Sequence, residues 1–318
     1  MRSIVVWAER HQVALYLAAI AAGLAVGLMA PAVARPLELA INPVLGVLLF
    51  ATFLGVPFSA IGRAFRDGRF LAVILILNFV VVPVVVFGLS RFVAHDEAVL
   101  VGVLFVLLTP CIDYVIVFTG LAGGAKERLL AAAPILMLGQ MLLLPVYLWL
   151  FLGSEVVQSI DLAPFVESFL LLIVLPLATA GITQYAASRV WWGRAVERTA
   201  SASMVPLMML TLAVVVASQV HGIGRQLSDL LITVPVYVVF AAVMVLLGAL
   251  AGRAAKLGVP ARRALVFSGV TRNSLVVLPL ALALPAAFAL APLAVVTQTL
   301  VELLAMVVLV RLLPRFIR

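Results

Sequence analysis

Ten apolar stretches follow one another along this 318-residue chain, each long enough to cross a lipid bilayer as a helix. A spanning helix needs about 20 mostly apolar residues, because the hydrocarbon core is ~30 Å thick and each residue adds ~1.5 Å. The predicted spans cover residues 12–33, 38–61, 70–90, 97–121, 128–152, 164–186, 199–220, 229–251, 261–284 and 289–313. The connections are short, so the sequence predicts an all-α polytopic membrane protein with a single domain over residues 1–318.

The composition excludes a soluble enzyme. Hydrophobic residues make up 66% of the chain and charged residues 11%, whereas soluble domains are roughly 45–50% apolar and about 25% charged. The sequence has no P-loop motif, a single cysteine and three scattered histidines, so neither a nucleotide site nor a cluster of metal ligands is indicated. We therefore expect no enzymatic activity and no cofactor.

The basic residues are sorted along the chain. The net charge of +8 would suggest nucleic acid as a partner in a soluble protein, but cytoplasmic loops of membrane proteins are enriched in Lys and Arg. Seventeen of the 21 basic residues lie in the two termini and in the loops after the even-numbered spans. Three lie on the other side, namely Arg35, Arg91 and Arg225. This pattern predicts that both termini lie in the cytoplasm, and it indicates no nucleic-acid partner.

A short internal similarity divides the chain into halves. Residues 132–140 of the fifth span align with residues 290–298 of the tenth at an offset of 158, with matching prolines and with Gln140 opposite Gln298. Each half, about 12–152 and 164–313, then has five spans, and an odd number inverts the second half in the membrane. Inverted repeats are typical of secondary transporters. Two unrelated bundles of similar composition remain the alternative.

Three ionisable residues lie deep in the predicted spans, where charges are costly and usually mark substrate or ion pathways. Asp113 follows Pro110 in the fourth span, and proline should open the helix there. The offset of 158 places the corresponding interruption of the ninth span near residues 267–272, which include Arg272. An Asp113–Arg272 ion pair across the two breaks would avoid an unpaired buried charge. Such a pair would either serve transport or act only as a buried brace.

Other polar side chains accompany these charges. Glu302 in the tenth span is a candidate proton carrier or a structural acid, and Gln298, one turn before it, shares its helix face. Asn78 in the third span and Gln140 in the fifth would line a cavity or only hydrogen-bond between helices. Cys111 lies beside the predicted break. A lone buried cysteine usually packs as a small hydrophobe, but its sulfur also suits soft ions.

Several segments resemble arsenite efflux permeases, the arsenical-resistance branch of the bile acid/sodium symporter-like superfamily. The similar segments are Pro110-Cys111-Ile112, Val115-Ile116-Val117, Leu121-Ala122-Gly123-Gly124, Gly139-Gln140, Val146-Tyr147-Leu148-Trp149-Leu150-Phe151 and Leu300-Val301-Glu302. In length, span number and break positions the resemblance covers essentially the whole chain. The specific motifs are confined to spans 4, 5, 9 and 10.

The resemblance implies ten helices in two inverted five-helix repeats. Broken spans 4 and 9 would cross in a core domain, beside a panel domain formed by spans 1, 2, 6 and 7. It also implies that Cys111 occupies the position of the cysteine essential for As(III) transport. Exchange for protons is the usual coupling in this branch, whereas the bile-acid branch uses sodium.

The chain also departs from the arsenite branch. Pro110 stands where that branch typically has arginine, and Thr271-Arg272-Asn273-Ser274 replaces Asn-Asn-Phe-Glu. The acid of span 9 is thus absent, and Ser274 takes its place. Asp113 and Arg272 look like an exchanged acid–base pair, so the chain is identified as a member of a divergent subgroup.

Three hypotheses follow. The leading one is export of trivalent arsenite or antimonite by proton antiport. Its substrate site would comprise Cys111 (the As(III) contact), Asp113, Arg272, Asn273 and Ser274, and its coupling residues Asp113, Glu302, Gln140, Gln298 and Asn78. The alternative is a sodium-coupled symporter of a bile-acid-like or other organic anion, with Arg272 pairing the anion. The third is a membrane receptor or structural partner without transport, which buried charges and tandem breaks oppose. The absence of a P-loop means that uphill transport would use an ion gradient or an associated ATPase.

Overall fold

The structure is a computed structural model that describes residues 2–55, 67–112, 114–159, 167 and 170–318. Within these ranges the chain is predominantly helical, as the long apolar stretches of the sequence predict. The helices are α1 (Arg2–Met29), α2 (Ala34–Gly55), α3 (Gly68–Val93), α4 (Glu97–Leu107), α5 (Tyr114–Leu121), α6 (Lys126–Ser159), α7 (Leu175–Ala187), α8 (Trp191–Leu231), α9 (Thr233–Ala254), α10 (Val259–Val270), α11 (Ser274–Leu282) and α12 (Leu290–Phe316).

Six helices in the described parts of the chain are long and apolar enough to cross a membrane. They correspond to the second, third, fifth, seventh, eighth and tenth predicted spans. Their apolar segments are Ala34–Gly55, Gly68–Val93, Lys126–Gly153, Trp191–Ser218, Thr233–Ala254 and Leu290–Phe316. The protein is therefore a multi-pass membrane protein, as the sequence predicts.

The other four predicted spans differ from one another in what the structure shows. The apolar part of α1, Ala14–Met29, is shorter than a full span. The fourth and ninth spans each fall on two short helices, α4 with α5 and α10 with α11. The sixth begins among residues outside the described ranges. The count of ten spans and their inverted repeat therefore stay predictions.

Contacts divide the chain into two compact units. Unit 1 comprises Met1–Gly55 and Ala163–Leu227, and unit 2 comprises Val56–Leu162 and Ser228–Arg318. Unit 1 holds the first, second, sixth and seventh predicted spans, the same grouping that the resemblance assigns to a panel. Within unit 1, α2 packs against α7. The side-chain amide of Gln184 donates to the carbonyls of Phe53 and Leu54 at the end of α2, at 3.3 and 3.0 Å.

Unit 2 contains the described candidate residues and is organised around α4. Every residue from Ala98 to Leu107 is buried, as expected for a helix that is apolar on all sides. α12 packs along α4, and α9 packs against both α10 and α12. Gly102 permits the closest approach, because a Cβ there would lie 2.5 Å from the carbonyl oxygen of Ala291 in α12. α12, which carries Gln298 and Glu302, therefore packs in close contact with α4.

Candidate functional site

The site is built on two helix breaks that pair through their backbones. The chain between α4 and α5 crosses the chain between α10 and α11, and Pro110 forms an isolated antiparallel bridge with Arg272. The amide of Cys111 donates to the carbonyl of Thr271 at 3.3 Å, and the amide of Asn273 donates to the carbonyl of Thr109 at 2.8 Å. Unwound backbone at membrane depth must satisfy its polar groups within the protein. Each break therefore supplies hydrogen-bond partners for the other.

Both breaks agree with the predicted places, and the second falls at the C-terminal end of the range that the alignment gave. Residues 267–270 still belong to α10, and the helix ends at Val270. The interruption comprises Thr271, Arg272 and Asn273. No proline stands at this point, so the sequence carried no sharp signal for the last helical residue. The observed interruption therefore overlaps the C-terminal end of the predicted range, 267–272, and includes Arg272 as expected.

Side chains beside the breaks form hydrogen bonds with backbone carbonyls and amides at the ends of the half-helices. The hydroxyl of Thr109 donates to the carbonyls of Phe105 and Val106 at the end of α4, at 3.0 and 3.1 Å. The hydroxyl of Thr271 donates to the carbonyl of Phe267 at 2.7 Å. Asn273 accepts from the amide of Val276 in the first turn of α11, at 3.3 Å. These local bonds fix where each half-helix ends and begins.

Arg272 is fully buried between the half-helices. One terminal nitrogen of its guanidinium lies 2.9 Å from Asn78 Oδ1, 2.6 Å from the carbonyl oxygen of Ser268 and 2.8 Å from that of Gly269. The other terminal nitrogen lies 3.3 Å from the carbonyl oxygen of Leu107. The guanidinium carbon also lies 5.5 Å from the centre of the Phe240 ring. These contacts anchor the cation to the ends of α4 and α10.

Asp113, the predicted ion-pair partner of Arg272, lies outside the described residues. Among described residues the structure records one salt bridge, Arg128–Asp67 at 3.0 Å. No described carboxylate therefore lies within 4.0 Å of the Arg272 guanidinium. The pairing with Asp113 stays a prediction.

Asn78 reaches Arg272 from a π-helical turn in α3. The turn covers Leu77–Val81, and such turns often occur at functional sites. The amide nitrogen of Asn78 donates to Ser268 Oγ at 2.9 Å, which leaves its oxygen for the guanidinium. Pro83 follows the turn and has no N–H for the carbonyl of Phe79. The hydroxyl of Tyr147 donates to that carbonyl instead, at 2.6 Å.

Replacing Tyr147 by phenylalanine should lower the free energy of unfolding by about 1–2 kcal/mol, because the carbonyl of Phe79 loses the hydrogen bond from the Tyr147 hydroxyl. Thermal unfolding of the purified protein in detergent measures this change. Tyr185→Phe is the control, since Tyr185 is 60% exposed and its ring is retained. Equal stability of the two variants would show that the Phe79 carbonyl does not depend on Tyr147.

Glu302 is the acceptor at the centre of the site, and its carboxylate is held by three donors. Oε1 accepts from the hydroxyl of Tyr114 at 2.5 Å. Oε2 accepts from the main-chain amide of Arg272 at 2.7 Å and from the side-chain amide of Gln298 at 2.5 Å. The bond to Gln298 joins residues four apart on α12, so the shared helix face predicted from their spacing is confirmed. The carboxylate thereby connects α5, α12 and the second break.

Cys111 is fully buried at the crossing of the breaks. Three buried polar atoms on nearby segments have no hydrogen-bond partner among the described residues: Asn273 Nδ2, Ser274 Oγ and Gln298 Oε1. Buried polar atoms without partners are rare and require an explanation. Gln140 in α6 is also buried, and both polar atoms of its amide lack a partner. These atoms are part of the unused hydrogen-bonding capacity of unit 2.

Two residues of the site were not identified from the sequence. Tyr114 donates to Glu302 and also lies 3.2 Å from the carbonyl oxygen of Arg272, whereas Ser268 contacts both Asn78 and Arg272. The available signal for Tyr114 was a polar hydroxyl one residue after Asp113. The signal for Ser268 was its position one helical turn before Arg272. Among described residues no group of three His, Cys, Asp or Glu side chains could hold a metal ion.

Sequence comparison supplies the remaining finding. No curated protein matches this chain significantly. Residues 42–226 match the family described as the Sodium Bile acid symporter family. The matched range is more than half of the chain and includes Asn78, Cys111 and Gln140, and it ends before the second break. The chain therefore belongs to the Sodium Bile acid symporter family, a family of membrane transporters.

Proposed function

We propose that this transporter exports trivalent arsenite or antimonite across the inner membrane in exchange for protons. The proposal rests mainly on the position of Cys111. Its backbone amide is hydrogen-bonded to the carbonyl of Thr271 where the two breaks cross. Thiols bind soft, electrophilic centres. The resemblance to arsenite permeases points to the same residue, and the family match supports a transporter of this superfamily.

The chemistry of trivalent arsenic suits this arrangement. Arsenite in neutral solution is the uncharged trihydroxide, and a thiol replaces one hydroxyl to form a sulfur–arsenic bond with release of one water. The remaining hydroxyls require donors and acceptors. Asn273 Nδ2 is a donor, Gln298 Oε1 an acceptor, and Ser274 Oγ can be either; all three lack partners in the described parts of the chain. The chain has only one cysteine, so the metalloid would be held by a single sulfur and could be released.

The proposed proton carrier is Glu302. With the carboxylate ionised, the Tyr114 hydroxyl donates to Glu302 Oε1. With a proton on Oε1, the carboxyl group would donate to the phenol oxygen instead, and the Tyr114 hydrogen would turn to the carbonyl oxygen of Arg272, 3.2 Å away. A proton on Glu302 would thereby change a hydrogen bond at the second break. Asp113 is the other candidate carrier.

The proposal includes the membrane topology and the repeat. Ten spans with both termini in the cytoplasm are supported by the distribution of the basic residues. Two inverted five-helix repeats are supported by two broken helices that cross, a feature of transporters built from such repeats. The separation of the chain into unit 1 and unit 2 supports a panel domain and a core domain, respectively.

The test is expression in a bacterium that lacks its own arsenite efflux system. The wild-type protein should confer resistance, and Cys111→Ser should remove it because serine preserves size but not thiol chemistry. Membrane level and thermal unfolding of the variant serve as folding controls. Absence of resistance from correctly inserted wild-type protein would contradict arsenite export. Full resistance with Cys111→Ser would contradict the sulfur contact.

The family match favours a second function, sodium-coupled symport of a bile-acid-like or other organic anion. Arg272 would then pair with the anion, while Asn273, Gln140 and Gln298 would help to bind sodium. Sodium-dependent accumulation of a bile acid in membrane vesicles, without arsenite resistance in cells, would support this function against the first.

A further inference from the structure

The oxygens around the Arg272 guanidinium come from the ends of two half-helices. The carbonyl of Leu107 is at the end of α4, and those of Ser268 and Gly269 are in the last turn of α10. Carbonyls in the last turn of a helix lack an intrahelical donor, and the helix dipole makes this end negative. Asn78 Oδ1 adds a fourth oxygen. All four are uncharged, and together they form a site suited to a cation.

In secondary transporters, broken helices bind the coupling ion through oxygens arranged in this way. Unwound carbonyls and the C-terminal ends of half-helices coordinate sodium or protons at the repeat interface. The family to which this chain belongs is named for sodium, so a sodium ion is the occupant implied for oxygens of this kind.

A sodium ion does not fit these oxygens while Arg272 is present. The guanidinium nitrogens lie 2.6–3.3 Å from them, so there is no room for an ion to contact the same atoms. A second positive charge would also be repelled by the guanidinium in an interior where charges are weakly screened. The side chain is 0% exposed and remains covalently attached, so it cannot be released with a substrate.

We infer that Arg272 permanently occupies the place of a coupling sodium ion, so that this transporter binds and requires no sodium. Removing the guanidinium opens a monovalent-cation site formed by Asn78 Oδ1 and the carbonyls of Leu107, Ser268 and Gly269. The inference concerns the coupling ion and does not depend on whether arsenite is the substrate. It conflicts with the sodium-coupled form of the second candidate function, in which Asn273, Gln140 and Gln298 would help to bind sodium, and measuring sodium binding to the wild type decides between the two.

The closing experiment uses the purified full-length protein and no substrate. Thermal unfolding of wild type and Arg272→Ala is measured in sodium, potassium and choline chloride at equal ionic strength, together with binding of radioactive sodium. The wild-type midpoint should be the same in all three salts, with no sodium bound. Arg272→Ala should unfold at a lower temperature in choline, and saturating sodium should raise its midpoint by on the order of 5 °C.

Two further variants keep the test decisive. Asn78→Ala added to Arg272→Ala should remove the sodium response, because one of the four oxygens is lost. Arg128→Ala, which deletes only the Arg128–Asp67 salt bridge, should show no sodium response. Sodium binding by the wild type would overturn the inference, even if Arg272→Ala fails to fold. An Arg272→Ala protein that is destabilised equally in all three salts would also overturn it, and would make Arg272 a brace only.

Discussion

Replacing Glu302 by alanine is expected to abolish transport and to lower the free energy of unfolding by roughly 3–5 kcal/mol. Three buried donors lose their acceptor together: the Tyr114 hydroxyl, the Arg272 amide and the Gln298 amide. The negative charge of the cluster is lost as well, while the guanidinium of Arg272 stays buried. Thermal unfolding and arsenite uptake into everted membrane vesicles, which corresponds to export from the cell, measure the two effects.

Glu302→Gln separates the charge from the packing. Its oxygen can still accept from the Arg272 and Gln298 amides, while its nitrogen donates to the phenol oxygen of Tyr114, whose hydrogen then turns to the Arg272 carbonyl. The variant therefore imitates the protonated carboxyl group. It should retain most of its stability, and its residual transport should no longer respond to an imposed pH gradient. Glu38→Gln, at an exposed position of α2, is the control.

Two results would contradict this account of Glu302. Wild-type response to the pH gradient in Glu302→Gln would remove Glu302 as the proton carrier and leave Asp113. Unchanged response in Tyr114→Phe would show that the hydroxyl between Glu302 and the Arg272 carbonyl takes no part in coupling.

The breaks illustrate how much of the fold could be predicted from sequence. Pro110 marks the first break because proline lacks an N–H and disturbs the preceding turn, a local effect that a sequence displays directly. The second break has no proline. It is held open by contacts with residues about 160 positions earlier, among them Thr109 and Tyr114, and such contacts leave no periodic signal. The sequence accordingly gave this break only as a range, 267–272, whereas the structure limits it to Thr271, Arg272 and Asn273.

The partners of the charged residues illustrate the same limit. Glu302 and Gln298 were correctly placed on one face because a helix brings residues four apart together. Arg272 was expected to pair with Asp113, because an unpaired buried charge is costly. Among the described residues the structure surrounds the guanidinium with the oxygens of Asn78 and of three carbonyls, and the pairing with Asp113 stays a prediction. Dipoles at helix ends are invisible in a list of charged residues, so sequence reasoning did not consider them.

Among substitutions that keep every polar residue, Gly102→Ala is expected to cause the largest loss of free energy of unfolding. An alanine Cβ would lie 2.5 Å from the carbonyl oxygen of Ala291, 2.8 Å from its Cα and 2.9 Å from the Cβ of Ala294. Small residues allow membrane helices to approach closely, and here the atoms that must move belong to the backbone of α12. The cost should be about 2–3 kcal/mol, despite the better helix propensity of alanine.

The same change should impair transport, because α12 carries Gln298 and Glu302. Displacing α12 from α4 lengthens the bonds from the Arg272 amide and the Tyr114 hydroxyl to the Glu302 carboxylate. Gly88→Ala is the matched control, since a Cβ on this exposed α3 glycine would meet nothing within 4 Å. The control should be neutral or more stable by up to about 1 kcal/mol, with normal transport. Equal unfolding temperatures for the two alanine variants would mean that α4 and α12 do not pack as closely in the membrane as they do here.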